Sequence, residues 1–291
     1  MPLESEDQGM NQLTVDKRIQ VIASLVEGNS IRATCRMTGA AKGTVLKLLS
    51  DIGLACTEYQ DRLFKDLPCK RLQCDEIWSF CYSKERNIPK DKQGKFGYGD
   101  IWTWTAICAD TKLVPSWYIG RRDIASAKLF MNDLARRLTN RVQLTTDGLK
   151  HYVVAVDEAF GTDIDYAQIH KVYGFDFNYE GRTKYSPGIC VGAEKREING
   201  TPKSRHVSTS FVERQNLTMR MSMRRFTRLT NGFSKKVDNL ACAVALHFMH
   251  YNFCRVHQTL GETPAMAAGI TKKVWQIEDI VTLLDVNNNL N

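Results

Sequence analysis

Apolar and polar positions recur along this chain in two rhythms, and the change of rhythm divides it. Between residues 15 and 53 the period is helical, with Ile19, Ile22, Leu25 and Val26 on one face. Glu27-Gly28-Asn29-Ser30 then offers a glycine stop and a serine N-cap. A second helix is therefore expected over 31–37, with Ala33 and Cys35 as small packing residues. Thr38-Gly39-Ala40 reads as a tight turn, and a third helix over 41–50 buries Val45, Leu46 and Leu49 before Gly53 closes it. Beyond residue 70 the rhythm is that of strands. Residues 71–80, 101–109 and 113–119 read as three strands, the last two separated by Asp110-Thr111-Lys112. Ala127, Phe130, Leu134 and Leu138 stripe a helix over 125–138. A strand over 142–146, a helix over 151–160 and a strand over 167–172 follow. Residues 174–206 read as a long basic loop, residues 208–228 and 236–252 as helices. A meander leading into alternating units predicts an α/β fold, a mixed sheet flanked by helices.

Five segments are expected: a disordered acidic tail (1–14), a helical unit (15–53), a linker (54–69), the sheet-bearing unit (70–260), and a C-terminal tail with a short helix (261–291). Two short helices joined by a glycine-containing turn make the first unit a helix-turn-helix candidate. Its third helix would then present Lys42, Thr44 and Lys47 to a major groove. The competing reading is a small helical bundle that only packs on the rest.

Composition narrows the partner. Hydrophobic residues at 43% and charged residues at 25% exclude a disordered chain. The net charge of +8 raises the prospect of a polyanion, nucleic acid first. The N-terminus is acidic and lacks an apolar core, and the longest apolar stretch, 240–249, is far short of the ~20 residues a span needs. A cytoplasmic protein with no membrane association is expected. Nine cysteines at irregular spacing then read as reduced thiols.

Three acids stand out. Asp75 interrupts an apolar strand, where Asp is disfavoured. Strand alternation predicts that only one of Asp75 and Glu76 shares a face with a site. Asp147 ends a strand, where α/β sheets gather ligands. Glu213 is the only acid between 210 and 236, among Arg214, Arg220, Arg224, Arg225, Arg228, Lys235 and Lys236. Glu213, Asn216 and Arg220 fall at i, i+3 and i+7 on one helical face. Singly, each acid reads as well as a hydrogen-bonded turn or edge carboxylate, and the basic stretch as a solvated face. Together, converging carboxylates stay ionised only beside a cation, and hard oxygen donors select Mg²⁺ or Mn²⁺. Two such ions activate an attacking oxygen and stabilise a leaving one at a phosphodiester. His247, His250, Cys254 and His257 form one helical stripe, which cannot wrap an ion tetrahedrally; packing or phosphate contact is the better reading.

Three blocks carry a resemblance: Cys74-Asp75-Glu76-Ile77-Trp78-Ser79-Phe80, Thr146-Asp147-Gly148, and Phe211-Val212-Glu213-Arg214-Gln215-Asn216-Leu217-Thr218-Met219-Arg220 with Arg228-Leu229-Thr230 and Phe233-Ser234. The chain resembles the IS-one-type insertion-sequence transposases, a group of DDE transposases with an RNase H-like catalytic domain. The resemblance covers roughly residues 70–260. It implies that Asp75, Asp147 and Glu213 are the catalytic, metal-binding triad, with Arg220 in the basic position seven residues after the Glu. It implies an RNase H-like sheet behind an N-terminal helix-turn-helix, acting as a homo-oligomer on double-stranded DNA, at element ends and target. Lys42, Thr44, Lys47, Asn216, Arg220, Arg224, Arg225 and Arg228 are the expected DNA-binding residues. The family commonly opens with a cysteine-paired zinc ribbon, whereas no Cys precedes Cys35 here. Its rivals are an RNase H-like nuclease or resolvase without strand transfer, and a non-catalytic helix-turn-helix regulator.

Overall fold

The structure, a computed structural model, describes residues 13–174, 189–227 and 230–288. Helix α1 (Val15–Val26) starts at Thr14, whose hydroxyl accepts the Lys17 N–H at 3.3 Å. Helix α2 (Ile31–Thr38) starts at Ser30, which accepts the Ala33 N–H at 3.1 Å, and stops at Gly39 with φ 71°. The Ser30 cap is the one the sequence offers. Helix α3 (Lys42–Leu63) corrects the expected linker, because it runs straight through Gly53. Its buried face, Val45, Leu49, Ile52, Cys56 and Gln60, keeps helical spacing past that glycine.

Strands β1 (Arg71–Cys81), β2 (Gly99–Cys108) and β3 (Ser116–Gly120) form the meander. Helix α4 (Ile124–Ala135), strand β4 (Val142–Asp147), helix α5 (Lys150–Phe160) and strand β5 (Ile164–Gly174) follow. Strand β6 (Ile189–Asn199) corrects the expected loop over 174–206. It is an edge strand, exposed from Cys190 to Glu197, so burial imposes no alternation that a sequence pattern could reveal. The sheet order is β3-β2-β1-β4-β5-β6, with β4 parallel to β1 and β5 and the other pairs antiparallel. This mixed sheet flanked by helices is compatible with an RNase H-like fold.

Helix α6 (Ser210–Ser222) is shorter than expected. Met223 leaves helical geometry, and a single 3-10 turn, Arg224–Phe226, seats Met223 and Phe226 in the core. The basic residues therefore do not share one helix, and Arg228 lies outside the described residues. Helix α7 (Val237–Met249) continues into a π turn (His250–Cys254), and α8 (Pro264–Ala267), α9 (Ile277–Val281) and α10 (Leu283–Asn288) close the chain. None of the described helices is long and apolar enough to cross a membrane.

One hydrophobic core runs from α1 to α10. On one side of the sheet Trp104 meets Tyr152 edge-on at 5.4 Å and Phe130 at 6.1 Å. Around α3, Phe64 stacks on Phe253 at 6.0 Å, and Tyr59 meets Trp275 at 5.2 Å. Gly53 is the contact of α3 with α7: a Cβ there would lie 2.4 Å from the Cys242 Cβ. The N-terminal helices thus share their packing with the sheet-bearing part.

Candidate metal centre

The site begins with Gln73. Its side-chain carbonyl accepts the N–H groups of Phe211 at 2.8 Å and Val212 at 3.2 Å, pinning the first turn of α6 to β1. Two residues on, Asp75 leaves the same face of the strand. Its Oδ2 accepts from the Asn216 amide at 2.8 Å, and its Oδ1 accepts the Glu76 N–H at 2.8 Å. Asp147 sits where β4 ends, and its Oδ1 accepts the Leu149 N–H at 3.0 Å, shaping the turn into α5.

Glu76 leaves the opposite face and is buried. Arg122 donates to its Oε1 at 2.9 Å and the Tyr152 hydroxyl to its Oε2 at 3.0 Å. Arg122 lies over the Trp102 ring at 4.8 Å and reaches the Asp147 carboxylate at 3.9 Å. Asp75, Glu76 and Asp147 each offer an oxygen within 4.8 Å of the other two. This corrects the expectation that strand alternation keeps one of the adjacent acids away. The pairing of β1 with β4 ends at Cys74 and Thr146, so both side chains have room around the open end of β4. Among the described residues this is the one group of three His, Cys, Asp or Glu side chains that could hold an ion. The stripe from His247 to His257 forms none.

The electrostatics match the geometry. Burial, then the charges of Glu76 and Asp147, push the Asp75 carboxyl up to about 8. Burial and Asp147 push Glu76 up to about 7, against the lowering pull of Arg122 and Tyr152. Three carboxylates this close are stable together only with protons or a cation among them. Beside them the Asn216 Oδ1 is buried with no hydrogen-bond partner. A donor set of hard oxygens with a spare buried acceptor fits a hard divalent cation. Asp75, Glu76 and Asp147 are the residues that would hold it.

Glu213 is outside this group of three. It lies three residues before Asn216 on α6, where its charge adds to the upward push on Asp75. Its carboxylate accepts from Lys171 on β5 at 2.6 Å and from the Thr209 hydroxyl. Asn216, expected at DNA, is buried against Asp75 instead. Lys42, Arg220, Arg224 and Arg225 line a separate groove between the N-terminal helices and the connection from α6 to α7. Thr44 is half-buried, and the exposed Lys47 is ion-paired with Asp51 at 2.6 Å. Glu76, Arg122 and Tyr152 are the site residues that sequence reasoning missed. Glu76 had adjacency to Asp75 as its signal; Arg122 and Tyr152 had none, since only the folded sheet brings them there.

No protein-family model matches the chain, and no curated protein matches it in sequence. Among solved structures it is similar to the piggyBac transposase synaptic complex with hairpin DNA, at 10% identity and a TM-score of 0.38, over 93% of this chain and 69% of that one. It is also similar to the Mos1 strand transfer complex, at 10% identity and a TM-score of 0.25, over 83% and 78% of the two chains.

Proposed function

We propose that this chain is a DNA transposase of the DDE type, with an RNase H-like catalytic fold, of the kind encoded by bacterial insertion sequences. The observation that carries the reading is the convergence of Asp75, Glu76 and Asp147 within 4.8 Å. A Mg²⁺ or Mn²⁺ pair bound there would supply an activated oxygen nucleophile and a stabilised leaving oxygen at a phosphodiester. Asp75 and Asp147 would hold the ions, with Glu76 inside the cluster and Glu213 on α6 beside it as the two candidates for the third ligand. Asn216 orients Asp75, and the Gln73 clamp on α6 keeps Asn216 and Glu213 in register with β1. Arg122, stacked on Trp102, keeps Glu76 and Asp147 together before a cation arrives. Helices α2 and α3 act as a helix-turn-helix, and the enzyme works as a homo-oligomer on element ends and target.

The test is a cleavage and joining assay on the DNA flanking the gene, with Mg²⁺ or Mn²⁺. Metal-dependent release of a 3′-hydroxyl followed by strand transfer is the expected result, with Asp75→Asn inactive. Cleavage without joining would make the chain a nuclease or resolvase. Wild-type cleavage by Asp75→Asn would remove the metal site from the reaction.

A further inference from the structure

Away from the acidic cluster lies a groove of about 1150 Å³. That exceeds the ~300–1,000 Å³ of ordinary small-molecule pockets. One wall carries Arg32 and Arg36 of α2 and Lys42 at the start of α3; the other carries Arg224, Arg225 and Lys235. No Asp or Glu lines it among the described residues, and none of these six cations forms an ion pair among them. The walls are fixed to each other at Gly28, with φ 81°, where a Cβ would stand 2.8 Å from the Ser222 carbonyl oxygen. The groove is therefore preformed by the contact of the turn between α1 and α2 with the end of α6.

Two groups in the lining, one half-buried and one buried, lack a charged or hydrogen-bonding counterpart at one atom or charge. Arg225 is half-buried and donates to the Ser234 hydroxyl, with no carboxylate beside it, and burial lowers its pKa from the usual guanidinium value. A charge desolvated without an opposite charge is costly, and an incoming anion offsets that cost. His247, 7% exposed, has a buried Nε2 with no hydrogen-bond partner. Asn29 and Asn231 add neutral amides to the same lining. Facing cations, uncharged amides and an uncompensated guanidinium form the chemistry that recognises phosphate oxygens in series.

We infer that this groove holds the phosphate backbone of a nucleic-acid strand, gripped between the N-terminal helices and the connection from α6 to α7. The proposal rests on the reading of α2 and α3 as a DNA-binding unit. It adds that the N-terminal helices and the α6–α7 connection hold the same strand, so that Arg32, Arg36 and Lys235 belong to the nucleic-acid interface and Thr44 and Lys47 lie beside it.

The test uses the full chain in EDTA, so that metal chemistry plays no part, with a fluorescent DNA of about 30 nucleotides followed by anisotropy across a salt series. Arg32→Gln/Arg36→Gln/Lys42→Gln and Arg224→Gln/Arg225→Gln/Lys235→Gln should each weaken binding about tenfold or more and lower the salt slope by about two units. Lys65→Gln/Lys70→Gln/Lys90→Gln makes the same charge change at exposed positions elsewhere and should move neither. Unaltered circular dichroism melts identify variants that have folded. Equal losses in all three, or unchanged slopes, would overturn the proposal. Tripolyphosphate displacing the DNA as well as an oligonucleotide of equal total charge would reassign the groove to a small polyphosphate. Because this assay contains no metal and the cleavage assay does, failure of the groove and failure of the metal site are read separately.

Discussion

The acidic cleft and the basic groove are opposite solutions to one problem. Each gathers like charges that repel; those of the cleft are buried or half-buried, whereas in the groove Arg225 is half-buried and Arg32, Arg36, Lys42, Arg224 and Lys235 are exposed. In the cleft, carboxyl groups of Asp75 and Glu76 answer by holding protons more tightly. In the groove the half-buried Arg225 guanidinium cannot release its proton at any ordinary pH, so the cost of its burial stays in the fold. A third region shows what a completed arrangement looks like. Arg137, buried at the end of α4, donates to Asp133 at 2.8 Å and also to Asp61 of α3, while Arg136 and Ser116 share Asp133. That network is internally matched. The difference teaches where ligands belong: matched charge is architecture, and unmatched buried charge is a site.

The largest effect is expected at the cleft. Asp75→Asn should lower metal-dependent cleavage about 10³-fold or more. The same change should raise the melting temperature in EDTA, because it removes a buried charge that its neighbours repel. Mg²⁺ should stabilise the wild type and leave the variant unmoved. A variant that melts lower than the wild type in EDTA would show that the cleft is matched after all.

Next comes the choice of third ligand. Glu213→Gln should cost about 10²-fold in cleavage, and Glu76→Gln about tenfold, read with metal titrations of the melting temperature. The reverse order would make Glu76, already within the cluster, the functional ligand.

How much of this was legible in the chain depended on whether the signal was local. The cap at Ser30, the turn at Gly39, the strand bearing Asp75, and Asp147 at a strand end are all written in neighbouring residues. Strand β6 was not, because an exposed edge strand of alternating charge carries no burial pattern. Gly53 looked like a stop but is a close approach to Cys242, which only the partner helix reveals. Glu76 was discounted by strand alternation, a rule that assumes a neighbour on both sides of the strand.

The matched network gives a control with a pH signature. Burial pushes Asp133 up, but hydrogen bonds from Arg137 and Ser116 outweigh it and hold the carboxyl below its usual value. A depressed native pKa contributes stability that is present above the unfolded value near 3.8 and is lost as pH falls through the native one. Asp133→Asn should therefore destabilise by about 3 kcal/mol at neutral pH, leaving Arg137 buried and short of a partner, and the gap should shrink below about pH 4. Urea melts across that range read it; a gap independent of pH would show that packing, not charge, is lost.

Gly53→Ala tests whether the groove's wall is held by the contact between α3 and α7. The added methyl meets backbone and Cβ of Cys242, so a loss of about 1–3 kcal/mol is expected. DNA affinity in EDTA should fall with it, while Mg²⁺ stabilisation of the cleft persists. Loss of both would join the two sites into one unit.

The smallest effect is expected at Arg220, and it sharpens the boundary between the two regions. Seven residues separate it from Glu213, about 10.5 Å along the helix axis. Helical side chains lean toward the N-terminus, so the spacing alone predicts a guanidinium turned back to a phosphate beside the metal. The structure instead places Arg220 in the lining of the groove, next to the turn that Gly28 makes against Ser222. Lysine there keeps the charge and loses the planar fork. Arg220→Lys should weaken DNA binding about two- to threefold, the size of one charge-assisted hydrogen bond made less well. Single-turnover cleavage at saturating DNA should stay at the wild-type rate. If the rate falls more than the affinity, Arg220 belongs to the acidic cleft, and the groove ends before the last turn of α6.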